Sequence, residues 1–526
     1  MRVAVLTGRL AYPEVSRRVK GRARVYVADY DVASLIPVSV IEDYACRAAS
    51  EGYQVLIVPG MHAATSSQLA SISKKCGIIV VKGPKTLDAL PEVVDAIASG
   101  KLKLEPGGVV DLTPNPVKLL RKNSQHFYPK GFYKLFNGLK IPIRPPPILV
   151  LAEVYLAEGL EEDAIGKALR MYREGASAIV LGASADYPCT KLGEIVSRLV
   201  SKGVPVGVDT PLVECMEEGL RRGACLLLSA HPANVDSLPK PLRDGVGVVV
   251  VPFKPSESPP PLEERVERLA SLASRVRSRG YVPILDPVVQ PPLLGLAESI
   301  RAYVEASRRL LEPLMAGIGN IYELQDADTI GSIALSTAIF AEAGVSLLLV
   351  SEESWKARGA VVEAVLAAIQ SSLAMTARSP PKDNGVELLV VKEKRPKTWR
   401  PLPLEILRDV EVVDASSVAS RVRFVRDPLG DVVFYIDSNT AYAVVVRNGK
   451  PVRVYKASKA EDLYKALVEL HDISRLDHAA YIGYEAHRLH VALTLGKSYV
   501  QDEEPITSLR EAYSSLIEEY KRVLSE

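Results

Sequence analysis

What the chain lacks narrows it first. Its 526 residues hold five cysteines (Cys46, Cys76, Cys189, Cys215 and Cys225), an odd number with no CxxC pair and no zinc-ligand spacing. That pattern argues against a disulfide framework and reads as small buried apolar side chains. No run of eighteen uncharged apolar residues occurs, and Arg2 and Arg9 bracket the apolar stretch at the N-terminus. Membrane insertion and secretion are therefore not expected, and the cytoplasm is the expected compartment. Charge of one sign is missing as well: 65 basic against 63 acidic side chains leave +2, which disfavours an electrostatic nucleic-acid binder. Neither GxGxxG nor a GxxxxGKS/T phosphate loop is present. Asn (8) and Gln (7) are scarce while Pro reaches 37, a bias that fits a heat-loving source.

What is there is a globular composition, 48% hydrophobic and 24% charged, long enough for three or four domains. In residues 1–140 the apolar runs Val3 to Leu6, Arg24 to Ala28, Val55 to Val58 and Ile78 to Val81 alternate with helical stretches, which predicts a small Rossmann-like parallel α/β domain. The turn formers Thr7-Gly8, Asp29, Pro59-Gly60 and Lys82-Gly83-Pro84 follow these strands, so a small-ligand crevice at their carboxyl ends is a candidate beside simple chain reversal. The Pro-rich stretch 114–147 reads as a semi-rigid connector. From residue 148 the pattern repeats: eight apolar strands (148–153, 177–182, 204–209, 224–229, 246–252, 281–286, 314–319 and 345–350), each followed by an amphipathic helix. Eight such units in about 230 residues predict a (β/α)8 TIM barrel over 148–378, with an open doubly wound sheet as the competing reading. Residues 378–405 carry Pro and charge like a linker. An α+β C-terminal domain over 386–526 follows, with a β-meander (432–436, 441–447, 452–455) turning at Asn448-Gly449 and helices near 459–471, 478–496 and 506–525.

A TIM barrel carries its chemistry at the C-terminal ends of its strands, so the strand assignment becomes a candidate list. Glu153, Gly182, Asp209, Ser229, Asp286 and Asn320 stand at those ends. Asp209 and Asp286 terminate strands that are otherwise apolar, where an ionised carboxyl needs a ligand or a donor. Asp209 has a helix-capping alternative through Pro211; Asp286, followed by Pro287, Pro291 and Pro292, does not. Asn320 follows Gly317 and Gly319 and offers both a donor and an acceptor to a planar heterocycle.

Several of these segments carry a family resemblance. Glu174-Gly175-Ala176, Ala178 to Gly182, Val204-Pro205-Val206-Gly207-Val208-Asp209-Thr210, Gly223-Ala224 and Ile284-Leu285-Asp286-Pro287 resemble, in order, the motifs of dihydropteroate synthases and their pterin-binding relatives. By that resemblance Asp209 and Asp286 hold a pterin ring, and Asn320 is similar to the pterin-contacting asparagine of the corrinoid-linked methyltransferase branch. The chain departs from the synthases at Glu153-Val154-Tyr155, at Ser229-Ala230, at Gly319-Asn320-Ile321 and at Ser351-Glu352-Glu353, where the synthases carry amides and cations. Lys254, Lys356 and Arg358 are the cations that would have to substitute around a leaving pyrophosphate. The whole arrangement looks like the archaeal dihydropteroate synthase-related proteins, long chains with domains flanking the barrel. The tail segments Ala480 to Glu485 and Ala492 to Asp502 are similar to a stretch those proteins share with one component of the methanopterin methyltransferase system.

The tail also holds His471, His478, His487 and His490. His487 and His490, three apart on one helix, are candidates for a metal or an axial corrinoid ligand, though no third partner stands at fixed spacing and no bound metal is expected. The run Lys392, Lys394, Arg395, Lys397 and Arg400 reads as a solvated linker. The resemblance implies a cytoplasmic protein of folate or methanopterin one-carbon metabolism whose ligand is a reduced pterin and which holds no other certain cofactor. Its expected role is to join an arylamine to a pterin pyrophosphate. The alternatives are methyl transfer from a methyl-tetrahydropterin to a corrinoid protein and non-enzymatic carriage of the pterin. A homodimer is a further expectation; nucleic acid and membrane are not expected partners.

Overall fold

The computed structural model describes residues 1–84, 87, 89–110, 116–254, 256–391, 413, 415, 425–437 and 440–506. The chain forms two compact units, Met1–Lys394 and Arg395–Glu526, and the boundary expected near residue 140 falls inside the first. The run Lys392 to Arg400 and the helix expected at 506–525 lie outside the described residues, except for Ile506.

The first unit opens with four parallel strands, β1 (Val3–Thr7), β2 (Arg24–Val27), β3 (Val55–Val58) and β4 (Ile79–Lys82), in the order β2-β1-β3-β4. Strands buried on both faces need apolar residues at every position, and β1 and β3 supply them. Ala4, Leu6, Leu56 and Val58 face one core, while Val3, Val5, Val55 and Ile57 face the other. The turns at the strand ends pack on one another: a Cβ on Gly60 would come within 2.5 Å of the Gly83 and Pro84 carbonyls.

The stretch expected to be a connector is part of the barrel. Within it, β5 (Phe132–Lys134) and β6 (Lys140–Pro142) form an antiparallel hairpin. Leu135 and Ile141 from this hairpin are buried in the cluster that fills the barrel interior. Prolines 145 to 147, which suggested an extended spacer, lead straight into the first barrel strand.

Eight parallel strands then follow: β7 (Leu149–Tyr155), β8 (Ala178–Gly182), β9 (Val206–Asp209), β10 (Leu226–Ala230), β11 (Gly247–Val250), β12 (Val282–Leu285), β13 (Met315–Gly317) and β14 (Leu347–Ser351). Their order is β12-β11-β10-β9-β8-β7-β14-β13, and a parallel bridge between Leu285 and Leu314 joins the two ends, so the sheet closes as a TIM barrel. Side chains of a strand alternate between its faces. Leu149, Leu151, Ala178, Val180, Leu226, Val249, Ile284, Met315, Leu347 and Leu349 fill the interior. Val150, Ala152, Ile179, Leu181, Val206, Val208, Leu348 and Val350 face the surrounding helices. One of those helices, Ala360–Ala377, is long and apolar enough by composition to cross a membrane; here it packs on the barrel strands and is half buried.

Four cysteines contradict the sequence expectation. Cys46 is bonded to Cys76, and Cys189 to Cys215, while Cys225 is free and buried. Spacing in sequence hid both pairs because each joins two successive helices, Val38–Ser50 to Ser66–Cys76 and Cys189–Ser201 to Val213–Arg221.

In the second unit β15 (Asp431–Asp437), β16 (Thr440–Arg447) and β17 (Lys450–Ala457) form the expected meander. Its turn at Asn448-Gly449 has positive φ at both residues, 50° and 74°, as a two-residue type I′ hairpin requires. Helices Ala460–Glu469 and Leu476–Leu495 cover one face of it, with Phe434, Ala443, Leu463 and Leu489 in the shared core.

Candidate functional site

Strand alternation decides which side chains look into the mouth of the barrel. Continuing the interior register by one step past Leu151, Val180, Gly207, Val249, Ile284, Met315 and Leu349 gives Glu153, Gly182, Asp209, Val251, Asp286, Gly317 and Ser351. This uppermost inward layer therefore holds three carboxyls, one hydroxyl and two glycines. Asp209 sits beside Gly182 in the ladder, and Glu153 beside Ser351.

The three carboxyls differ in how they are held. Asp286 is buried; its Oδ1 accepts hydrogen bonds from the Tyr303 hydroxyl at 2.5 Å and the Val288 N–H at 2.7 Å. No protein donor among the described residues reaches its second oxygen. Burial pushes Asp286 up to about 6, against the downward pull of those two donors. Asp209 and Glu153 have no hydrogen-bond or ion-pair partner on either side chain among the described residues. Burial alone pushes Asp209 up to about 6. Glu153 rises further, to about 7, through burial first and then the charges of Asp209 and Glu353, with Lys167 pulling it down. Gly182 makes room for this carboxyl: a Cβ there would stand 3.2 Å from Glu153 Oε1.

The other two sequence candidates lie at the rim. Asn320 is exposed on the one-turn helix Gly319–Tyr322, where its Nδ2 donates to the Val289 carbonyl at 2.9 Å and so ties the loops after β13 and β12 together. Ser229 is partly exposed, and its carbonyl accepts from Asn234 Nδ2 at 3.2 Å. All six candidates thus gather at one end of the barrel. Of the cations proposed for a leaving pyrophosphate, two are engaged in other contacts: Lys356 Nζ donates to the Gln325 carbonyl, and Arg358 stacks over the Trp355 ring at 3.6 Å. Lys254 stands near His231, where burial and this charge lower the imidazole pKa. Lys167 donates to the Glu352 carbonyl at 2.9 Å and pairs with Glu353 at 3.1 Å.

Sequence reasoning missed Tyr303, Tyr322 and Lys167. Tyr303 fixes Asp286 from helix Leu296–Arg309, and the Tyr322 hydroxyl both donates to the Ser351 carbonyl at 2.7 Å and accepts from the Ser351 N–H at 2.9 Å. A tyrosine on the apolar face of an amphipathic helix needs a partner for its hydroxyl, and that was the available signal. In the tail His487 and His490 are exposed, and no group of three or more His, Cys, Asp or Glu is placed to hold a metal ion among the described residues.

Comparison with known proteins finds its family-model match in the tail. Residues 426–502 match the family model described as PterinBD-DUF4346. This segment of the tail carries the PterinBD-DUF4346 pattern. An uncharacterized protein, MJ0107, of Methanocaldococcus jannaschii is 28% identical over 95% of this chain and 98% of its own length. Among solved structures, a Yersinia pestis dihydropteroate synthase with a pterine–sulfa conjugate is 18% identical, covering 47% of this chain and 98% of its own, with a TM-score of 0.37. The Thermus thermophilus dihydropteroate synthase is 24% identical, covering 44% and 97%, with a TM-score of 0.34.

Proposed function

We propose that the mouth of the barrel binds a reduced pterin, and that the protein is a cytoplasmic, dihydropteroate synthase-related pterin-binding protein of folate or methanopterin-type one-carbon metabolism. The observation that carries this reading is the uppermost inward layer, which holds Glu153, Asp209 and Asp286, two of them lacking any protein donor among the described residues. Leaving carboxyls unpaired in a half-buried site costs free energy unless a ligand supplies donors. A pterin does so through its 2-amino group and ring N–H groups, and Asn320 Oδ1 and the Ser229 hydroxyl stand at the rim for its remaining polar atoms. The match of the tail to a family with a pterin-binding description supports the same ligand. In this account residues 1–140, 148–378 and 386–526 act as three domains, with the flanking two available to partners.

Between the reactions, the electrostatics favour methyl transfer to a corrinoid protein, or carriage of the pterin, over condensation with an arylamine. Pyrophosphate departure needs cations or amides around the leaving anion. Here Lys356 and Lys167 already hold protein partners and Arg358 stacks on Trp355, which leaves Lys254, beside His231, as the remaining one of the three candidate cations, and carboxyls crowd the mouth. Calorimetric titration with a methyl-tetrahydropterin, dihydropterin pyrophosphate and cobalamin separates these readings. Binding of the first at least tenfold tighter than the second supports transfer or carriage, and binding of neither at millimolar concentration rejects the pterin site.

A further inference from the structure

Glu153 opens the segment Glu153-Val154-Tyr155, where the chain departs from the motifs it otherwise resembles, and its surroundings give that departure a consequence. Its carboxyl faces the mouth next to Gly182, whose missing side chain leaves the space, and next to Asp209, which likewise has no protein partner among the described residues. The charged groups around it are Asp209 from β9, Glu353 from the loop after β14 and Lys167 from helix Glu161–Arg173; β8 contributes only Gly182. Lys167 is already paired with Glu353, so the neighbourhood of Glu153 is net acidic. Two adjoining carboxyls without donors cannot both stay ionised at low cost, and the proton they keep settles on the one with more carboxylate neighbours.

Resting on the pterin reading, we propose that Glu153 works as a neutral acid that donates a hydrogen bond to an acceptor atom of the bound ring, while Asp209 remains the carboxylate that accepts a neighbouring N–H. The pair thereby requires a heterocycle with an acceptor next to a donor, and it places a proton beside a ring nitrogen of the ligand. A ring nitrogen that accepts this proton becomes a better leaving group for a substituent it carries. The proton moves from the Glu153 carboxyl oxygen to the ring nitrogen and leaves Glu153 a carboxylate; departure of the substituent further needs a nucleophilic second reactant, such as a reduced corrinoid, to which its new bond forms as the bond to nitrogen breaks.

The experiment is calorimetric titration of the full chain with a reduced pterin that does not itself titrate between about pH 6 and about pH 8, for the wild type, Glu153→Gln and Glu153→Ala. The account expects wild-type affinity to fall as the pH rises through about 7 and Glu153 loses its proton. Glu153→Gln, which keeps a neutral donor, should bind within about threefold of the wild type at pH 6, with a shallower pH profile set by Asp209 and Asp286. Glu153→Ala should bind about tenfold more weakly at pH 6. A wild type that binds with Glu153→Ala equal to it, or Glu153→Gln as weak as Glu153→Ala, overturns the donor role and leaves the pterin site standing. A wild type that binds no pterin at any pH overturns the site and the donor role together.

Discussion

Carboxyls at the barrel mouth and carboxyls in the C-terminal unit are held in opposite ways. Asp427 is buried and accepts from the Leu429 N–H at 2.9 Å, from the Ser474 N–H and hydroxyl at 2.9 and 2.6 Å, from the Arg475 N–H at 3.0 Å and from His478 Nδ1 at 3.0 Å. Burial opposes its ionisation, yet those donors hold it well below the ordinary carboxylate range. Asp472 is likewise bound by Arg447, Arg453 and Tyr455. Glu153 and Asp209 have no such donors among the described residues and are pushed the other way. A buried acid whose lone pairs are all satisfied by its own fold fastens that fold; one whose lone pairs are open is set for something outside it.

The comparison breaks most sharply at Asp427. Asp427→Ala strands Ser474, Arg475 and His478 and should cost the second unit about 3–5 kcal/mol, read as loss of hydrogen-exchange protection in helix Leu476–Leu495 of the full chain. A loss under about 1 kcal/mol would mean the carboxyl is not the clasp described. Next come the covalent staples, which lie only in the first unit because all five cysteines fall at or before position 225. Reducing Cys46–Cys76 and Cys189–Cys215 should remove about 2–4 kcal/mol per bond from that unit and leave the protection of the meander unchanged. If dithiothreitol also loosened the tail, the two units would not be separable in this way.

The third stability effect is the dependence on pH. A carboxyl whose pKa is higher in the folded than in the unfolded chain binds its proton more tightly when folded, so it favours folding most below the unfolded value. That advantage is lost as the pH rises from about 4 to the folded value of about 7 for Glu153. Through Glu153 the first unit should therefore lose roughly 3 kcal/mol over that window, Asp209 and Asp286 adding losses of the same sign as the pH rises to about 6, and Glu153→Gln should remove the Glu153 share. Asp427 has the opposite sign: its contribution is present above about 4 and is lost only in stronger acid, as the pH falls through its lowered folded value. Unfolding midpoints at successive pH values, followed by mass-resolved hydrogen exchange, distinguish the two slopes.

Much of this was legible in the sequence for a physical reason. Each barrel strand is a short apolar run bounded by turn formers, and every expected strand overlaps an observed one; strand-end residues are then fixed by the same periodicity. Asp209 and Asp286 could be singled out because a charge that ends an apolar run is expensive. The contacts that differentiate them were not legible, because Tyr303 reaches Asp286 from 17 residues downstream, through the packing of a helix on the barrel. The hairpin that plugs the barrel was read as a connector because its strands have only three residues each, too few for a period to show. The disulfides escaped because their spacing reflects the helix packing and no local motif.

The central claim is that the open carboxyls of the mouth are kept for a ligand at a cost to the fold, and Asp209→Asn tests it in one paired measurement of pterin affinity and thermal midpoint. The account predicts that the amide weakens binding of a reduced pterin by about tenfold, ~1.4 kcal/mol, while the melting temperature stays the same or rises, since an unpaired buried charge has been removed. A variant that binds the pterin as well as the wild type, or one that loses stability as Asp427→Ala does, would contradict it.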